Sequence, residues 1–396
     1  MPGIDSADPR HVPRSDQDDY TAEMAERRRS FVSGRSGTSL DHVGSYSFDP
    51  SVLPGNIENF IGVAQVPIGL AGPLLVRGEH AVGEFFIPLA TTEGTLVASY
   101  NRGMRLVREC GGVMTTVVDD RMQRAPVFTF ADALQARAFG QWVESHFDEI
   151  KAAADSTTSA GRLLDIGQYA LGPLRYLRFN FTCGDAAGQN MTGKATFVAC
   201  EWIKANYPGK LQYLLSGNID TDKKHSHINT ILTRGKRVVA EITVRRLPLL
   251  DLMGVDTRAL FQARQISQTG AFLAGSSGNG AHAANALAAL FIATGQDAGN
   301  VAESHAAITY SQLLDNGDYY WSITLPSLIV ATYGGGTSLP TQRECLEMLG
   351  CYGTGKVLKF AEICAAVVLA GEISLAAAVL HGDWVAAHDA LGRNRA

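Results

Sequence analysis

The stretch Ile87-Pro-Leu-Ala-Thr-Thr-Glu-Gly-Thr-Leu-Val-Ala-Ser-Tyr-Asn-Arg-Gly-Met-Arg-Leu-Val107 decides how this chain is read. One acid, Glu93, stands between two threonines and a glycine, and an apolar run follows at once. Thr91 or Thr92 is suited to cap a helix start, and Leu96, Val97, Tyr100, Met104, Leu106 and Val107 recur at helical spacing. Asn101, Arg102 and Arg105 fall on another side of the same rod. The pattern predicts a carboxylate where a helix begins, with one side of that helix apolar and another cationic. A capped core helix with a surface acid has the same pattern, so this window does not decide function by itself.

The 396 residues allow about two to three domains. A hydrophobic share of 46% and a charged share of 18% describe a soluble globular protein with a large core. A net charge of −5 argues against a general nucleic-acid binder, which needs a basic face. The six cysteines (Cys110, Cys183, Cys200, Cys345, Cys351, Cys364) form no Cys-x-x-Cys pair. They fit free thiols in a reducing cytoplasm better than a disulfide framework or a zinc site, and no metal is expected. The polar, acidic N-terminus does not read as a signal peptide. The apolar segment Val357–Leu380 is interrupted by Lys359, Glu362 and Glu372, which predicts a buried helix and no membrane span.

Along the chain, residues 1–57 read as a loose polar arm followed by a short helix over Tyr20–Val32. Residues 58–124 carry strands at Val66–Val76 and Gly83–Leu89, the helix above, and a strand from Met114. Residues 125–215 change texture. Val127–Phe130 is strand-like, Ala131–Ala153 helical, Leu174–Thr182 a strand, and a helix over Thr192–Tyr207 follows the turn Gly184–Asn190. That order suits a small α+β insert, and a glycine-containing turn opening a helix is able to present N–H groups to phosphate. Residues 216–396 hold the polar loop Ser216–Lys224, a strand Arg237–Val244, a glycine- and serine-rich loop Gly270–Gly280, a small-residue helix after Ala281, strands within 318–333 and two apolar helices over Val357–Ala390.

Two motifs mislead. Gly278-Asn-Gly-Ala-His-Ala283 with Asp297 mimics a dinucleotide fingerprint, but no β-branched strand precedes it. Gly350-Cys-Tyr-Gly-Thr-Gly-Lys356 mimics a phosphate loop, but Val357 stands where a Ser or Thr must reach magnesium.

Several blocks in order resemble the soluble catalytic portion of the 3-hydroxy-3-methylglutaryl-CoA reductase family. They are Glu58–Gly62, Ala90–Gly94 with Asn101–Gly103, Arg124 before a Pro, Gly184-Asp185, Ser216–Asn218 with Thr221–Lys224, Ala281–Asn285, Gly295–Asp297, Gly334–Thr337 and His388. The resemblance implies an α+β fold: a large domain built around a central helix, an inserted small ferredoxin-like cofactor domain, and a short N-terminal helical region. It implies NADPH-dependent four-electron reduction of 3-hydroxy-3-methylglutaryl-CoA to mevalonate and CoA, through hemithioacetal and aldehyde intermediates, in the cytoplasm by a homodimer or higher even oligomer with shared active sites.

By the same resemblance Lys223 stabilises the oxyanion formed on hydride attack. Glu93 is the general acid, held near other acids and away from water so that its pKa rises. Asp297 pairs with both, and His388 protonates the departing thiolate. Arg124, Ser216, Asp222 and Lys224 hold the substrate's carboxylate and hydroxyl, while Asn101, Arg102, His282 and Asn285 line the acyl-CoA side. Asp185, Gly188, Asn190 and Asn218 belong to the cofactor side. The chain departs from the family pattern at Ala187 and Gln189, in a loop one residue short before Ala281, and at Ile266, where a substrate-gripping lysine is common. These departures leave open a relative acting on a different acyl thioester, and a silent CoA-binding dimer stands as a third reading.

Overall fold

The longest apolar run of the chain, Val357–His381, is a single helix in which every residue from Phe360 to Ser374 is buried. It is long and apolar enough to cross a membrane, yet 78% of its apolar window is covered by the rest of the chain. The computed structural model describes residues 11–382 and Asp389.

In chain order, α1 (Ala22–Ser36) leads to β1 (Ile68–Gly78), β2 (Val82–Ala90), α2 (Leu96–Glu109) and β3 (Val113–Arg124). Next come β4 (Val127–Thr129), α3 (Ala133–Ser145), α4 (Phe147–Asp155), β5 (Leu163–Leu171), β6 (Leu174–Phe181), α5 (Gln189–Asn206) and β7 (Gln212–Leu214). Then follow α6 (His227–Leu232), β8 (Gly235–Val244), α7 (Arg246–Met253), α8 (Thr257–Leu273), α9 (Ala283–Thr294) and α10 (Val301–Ser304). The described chain closes with β9 (Ile308–Leu313), β10 (Tyr319–Leu328), α11 (Pro340–Met348) and α12, the apolar helix Val357–His381.

The architecture is mixed α and β with a largely antiparallel sheet. β3 is the strand on which it turns. Its first two thirds pair antiparallel with β8, and Val113–Thr115 run parallel to β1. Its last residues, Met122–Arg124, pair instead with β6. One strand therefore serves two cores. The larger is centred on α12, with α2, α9 and the inner faces of β1, β2, β8 and β10 around it. The second is drawn from residues 128–211 and is rich in aromatics: Phe128, Phe139, Phe179 and Phe181 are buried with Ala195, Ala199 and Ile203 of α5.

α2 and α12 approach so closely that glycine is required on both sides. A Cβ on Gly103 would lie 2.0 Å from the Ala370 carbonyl oxygen, and one on Gly371 would lie 2.2 Å from the Tyr100 ring. The glycine of Asn101-Arg-Gly103 is thus a packing residue. The helix around which the large core is built is α12, and α2 lies against it.

Other boundaries also differ from those read off the sequence. α2 begins at Leu96, after Thr95 in a left-handed conformation (φ 75°), so neither Thr91 nor Thr92 caps it. The helix expected over Ala131–Ala153 is broken at His146 into α3 and α4. The sequence pattern does not predict β5 or β9: both are only partly covered, and neither Leu-Leu-Asp-Ile-Gly-Gln-Tyr-Ala-Leu nor Ile-Thr-Tyr-Ser-Gln-Leu alternates cleanly. α8 runs four residues into the expected Gly270–Gly280 loop, to Leu273. All six cysteines are free thiols.

Candidate active site

The turn after α9 fixes one carboxylate with unusual economy. Gly295 ends the helix in the left-handed region (φ 71°), and a Cβ there would stand 2.2 Å from the Gly336 oxygen. The Gly334–Thr337 loop therefore lies backbone to backbone on the helix end. Gln296 bridges to Ala331 in both directions, its Oε1 accepting from Ala331 N (2.7 Å) and its Nε2 donating to the Ala331 carbonyl (3.0 Å). Asp297 then accepts from Gly299 N through Oδ1 (2.9 Å), leaving Oδ2 for a cation.

That cation is Lys223. Its Nζ lies 2.7 Å from Asp297 Oδ2, and the two side chains are 46% and 41% exposed, so the pair is formed but reachable. The hydrogen bond to Asp297 raises the lysine pKa against the opposing effect of partial burial. Around it the polar loop is densely bonded. Arg124 donates to Asp220 (2.9 Å) and lies 3.9 Å from Asp222; Lys224 Nζ donates to the Asp222 carbonyl (2.9 Å). Ser216 and Asn218 are exposed on the same loop.

A cleft of about 570 Å³ opens beside this pair, lined by Gly188, Gln189, Asn190, Asp297, Asn300, Tyr333 and the Gly334–Gly336 loop among others. α5 starts here. Its first residue follows Gly188 in a left-handed conformation, with no side chain capping the helix, so its first N–H groups remain available to an anion. A dinucleotide phosphate suits that end. Gln189 ties the helix start to the loop, donating to Asp222 (3.1 Å) and Asn300 (2.8 Å).

Asp185 is placed differently from its expected cofactor role. Its carboxylate accepts from Gly355, Lys356 and Val357 N–H groups (2.8, 3.0 and 3.1 Å) at the start of α12. Burial opposes the charge, but these bonds prevail and lower its pKa. The rejected phosphate-loop mimic is thus an anion nest whose anion comes from the chain itself.

A second group of expected residues gathers around α2 and the start of α9. Tyr100 stacks on His282 (4.8 Å, 11°) and donates to its carbonyl (2.8 Å). Burial lowers the His282 pKa to about 4, so the ring is neutral near pH 7, and its Nδ1 pairs with Asn285 (3.2 Å). His282 Nε2 is buried with no hydrogen-bond partner among the described residues. Fully buried Glu372 of α12 accepts from Ala281 and His282 N–H and so anchors this helix start. Asn101 accepts from Gly72 N (2.9 Å), Arg102 donates to Ser374, and both line a groove of about 330 Å³ with Arg105 and Arg108. Glu93 belongs to this side, since its charge adds to the burial and the Glu372 charge that push the Tyr100 pKa up.

Glu93 itself corrects an expectation. It is exposed, its N–H bonds Thr91 Oγ1 (3.0 Å), and among the described residues it bonds neither Lys223 nor Asp297. The physical reason is the irregular segment before α2, which leaves the acid on the surface of the single chain. His388 lies outside the described residues. Among those described, only Glu79, His80 and Glu362 are grouped closely enough to suggest a metal. Glu362 already accepts three backbone N–H bonds from the β1–β2 turn, so it is committed to that turn.

The hydroxymethylglutaryl-coenzyme A reductase profile matches residues 24–393. The chain belongs to this family. A 3-hydroxy-3-methylglutaryl-coenzyme A reductase from Pyrococcus horikoshii is 45% identical over 376 residues, covering 93% of this chain and 91% of the relative. The enzyme of the same name from Methanocaldococcus jannaschii is 43% identical over 375 residues, covering 93% and 92%. Among solved structures, the class II 3-hydroxy-3-methylglutaryl-CoA reductase of Streptococcus pneumoniae bound to NADPH superposes with a TM-score of 0.67 at 19% identity, over 83% of this chain and 79% of that one, which is a likeness of fold.

Within this reductase-family chain, four residues of the Lys223 region carry no signal in the sequence: Arg234, Asn229, Asn300 and Glu303. All are buried polar groups bonded to the loop or lining the cleft. No spacing rule singles them out, because each lies in ordinary-looking sequence and acts through contacts made only in three dimensions.

Proposed function

We propose that this protein reduces 3-hydroxy-3-methylglutaryl-CoA to mevalonate and CoA with two NADPH used in succession. The observation that carries the reading is the Lys223–Asp297 pair, half exposed beside a cleft into which the uncapped start of α5 opens. Bound NADPH supplies the hydride. The chain's own groups manage charge and protons: two hydrides and two protons convert the thioester to a primary alcohol and a thiol, by way of a hemithioacetal and an aldehyde.

Lys223 is the cation that meets each oxyanion, in an orientation set by Asp297. Glu93 protonates the oxygen after each hydride and takes its proton back when the hemithioacetal opens to the aldehyde, and His388 protonates the departing thiolate. Arg124, Ser216, Asp222 and Lys224 receive the carboxylate and hydroxyl of the acyl group. Asn101, Arg102, His282 and Asn285 line the thioester and CoA side. Residues 125–215 form the ferredoxin-like cofactor domain, with Gly188, Asn190 and Asn218 against the dinucleotide and Asp185 bracing the loop from below. A homodimer brings the Lys223 group of one copy to the Glu93 and His282 group of the other, which takes Glu93 out of water. Six free thiols are in keeping with a cytoplasmic setting.

The test is product analysis with 3-hydroxy-3-methylglutaryl-CoA and NADPH. Mevalonate, free CoA and two NADPH oxidised per thioester are expected; no NADPH oxidation at saturating thioester overturns the reading. A second reading, a different acyl thioester, is favoured by one observation: Ile266, where the family commonly has lysine, is 74% exposed on α8. A panel of CoA thioesters separates the two.

A further inference from the structure

Lys223 sits in a left-handed backbone conformation, φ 55°, and so do two other residues of its loop, Asn218 (64°) and Thr221 (51°). Each such residue is strained and persists only where its surroundings hold it. Thr221 is held by the buried Asn229, whose Nδ2 donates to Thr221 Oγ1 (2.6 Å) and to the Asp220 carbonyl (3.2 Å).

Lys223 is held by Glu303. Its N–H donates to Glu303 Oε1 at 3.1 Å. Glu303 is fully buried on α10, and the same oxygen accepts from the fully buried Arg234. The other amino group of Arg234 donates to Asp222 Oδ1 at 3.0 Å. Residues 222 and 223 are thus gripped from behind by Glu303 and Arg234, while Asp297 takes the ammonium in front. Glu303 and Asp297 lie on one short piece of chain, the turn Ala298–Asn300 and α10 that follows it. Gly299 lies between them, where a Cβ would come 3.1 Å from Lys223 Nζ.

We infer that Glu303 and Arg234 are positioning residues for Lys223: they fix its backbone so that one orientation of the ammonium is presented at the cleft. A lysine side chain is otherwise free to adopt many rotamers, and a mobile cation stabilises an oxyanion poorly. Burial raises the Glu303 pKa to about 7 against the pull of Arg234. Either protonation state leaves an oxygen to accept the Lys223 N–H, so the grip does not depend on the charge.

The catalytic consequence rests on the reading of Lys223 given above, so the test has one readout that needs no substrate. Acetylation of Lys223 by an amine-directed ester, read by mass spectrometry against exposed Lys204, reports whether the ammonium stays on Asp297. Glu303→Ala should raise Lys223 labelling about threefold, in line with losing a half-exposed ion pair. It should lower kcat about 10- to 100-fold with the KM for NADPH unchanged. Glu303→Gln, which keeps an acceptor, should rescue most of both effects. Unchanged Lys223 labelling in folded Glu303→Ala overturns the inference, and so does equal loss in Glu303→Gln. Should Glu303→Ala not fold, Glu303→Leu with Arg234→Met removes both buried charges together, a change that proteins often tolerate; parental labelling in that variant overturns the inference equally. A parent protein without thioester reduction would sink the proposed reaction, while the labelling result would still decide the role of Glu303.

Discussion

The two groups of candidate residues in this molecule are built to very different standards. The Lys223 group is braced on every side: Asp297 in front, Glu303 behind, Asp222 held by Arg234 and Gln189. The Glu93 acid has a single backbone bond to Thr91 and stands exposed at the end of β2, although Tyr100 and His282 beside it are packed into the core. A cation that must meet a developing charge has to be fixed beforehand. A general acid gains its function from what finally surrounds it, and in one chain Glu93 is not yet surrounded.

The sharpest way to break that contrast is Glu93→Gln. On the surface of a monomer this is a neutral change; as the general acid it should lower kcat by about 10²–10⁴. Steady-state NADPH oxidation and thermal unfolding together decide between these, since the fold should be unaffected. Lys223→Met should follow at about 10²–10³ in kcat, with the KM for NADPH little changed. Equal activity of that variant would mean that the braced side is structural only.

His282 sharpens the comparison through pH. Its folded pKa of about 4 lies below the ordinary 6.5, so the unfolded chain takes up a proton that the folded chain refuses. Stability from this group is full above pH 6.5 and is lost as pH falls toward 4, by roughly 3 kcal/mol in all. Urea unfolding of the parent and of His282→Gln over that window should show this slope in the difference between their stabilities. The smallest effect expected is Asp185→Asn, which weakens three N–H bonds at the start of α12 and should cost about 1–2 kcal/mol. Because the Asp185 pKa is lowered, its contribution is present above the ordinary carboxylate value of 3.8 and disappears as pH drops through the folded value.

Much of this was legible in the residues and some was not, for physical reasons. Helical spacing located α2, α9 and α12, and the Gly295-Gln-Asp297 turn was visible because a helix end needs a left-handed residue. The start of α2 was misplaced: Thr91 and Thr92 have capping chemistry, but the chain adopts its left-handed turn at Thr95. The exposure of Glu93 was not legible either, because Thr-Thr-Glu-Gly carries no signal of what the folded chain leaves uncovered. The resemblance puts Asp185 with the cofactor, whereas its carboxylate is engaged by a loop 170 residues further on, a contact no local pattern contains. Glu303 and Arg234 were invisible for the same reason.

Mixing two inactive variants tests the central claim most directly. Glu93→Gln and Lys223→Met copies, unfolded together and refolded as an equal mixture, should regain about one quarter of the parental activity. Half of the dimers would then be mixed, each with one of its two sites intact. Activity no higher than that of the separate variants would contradict the claim that the two groups meet across a pair of chains.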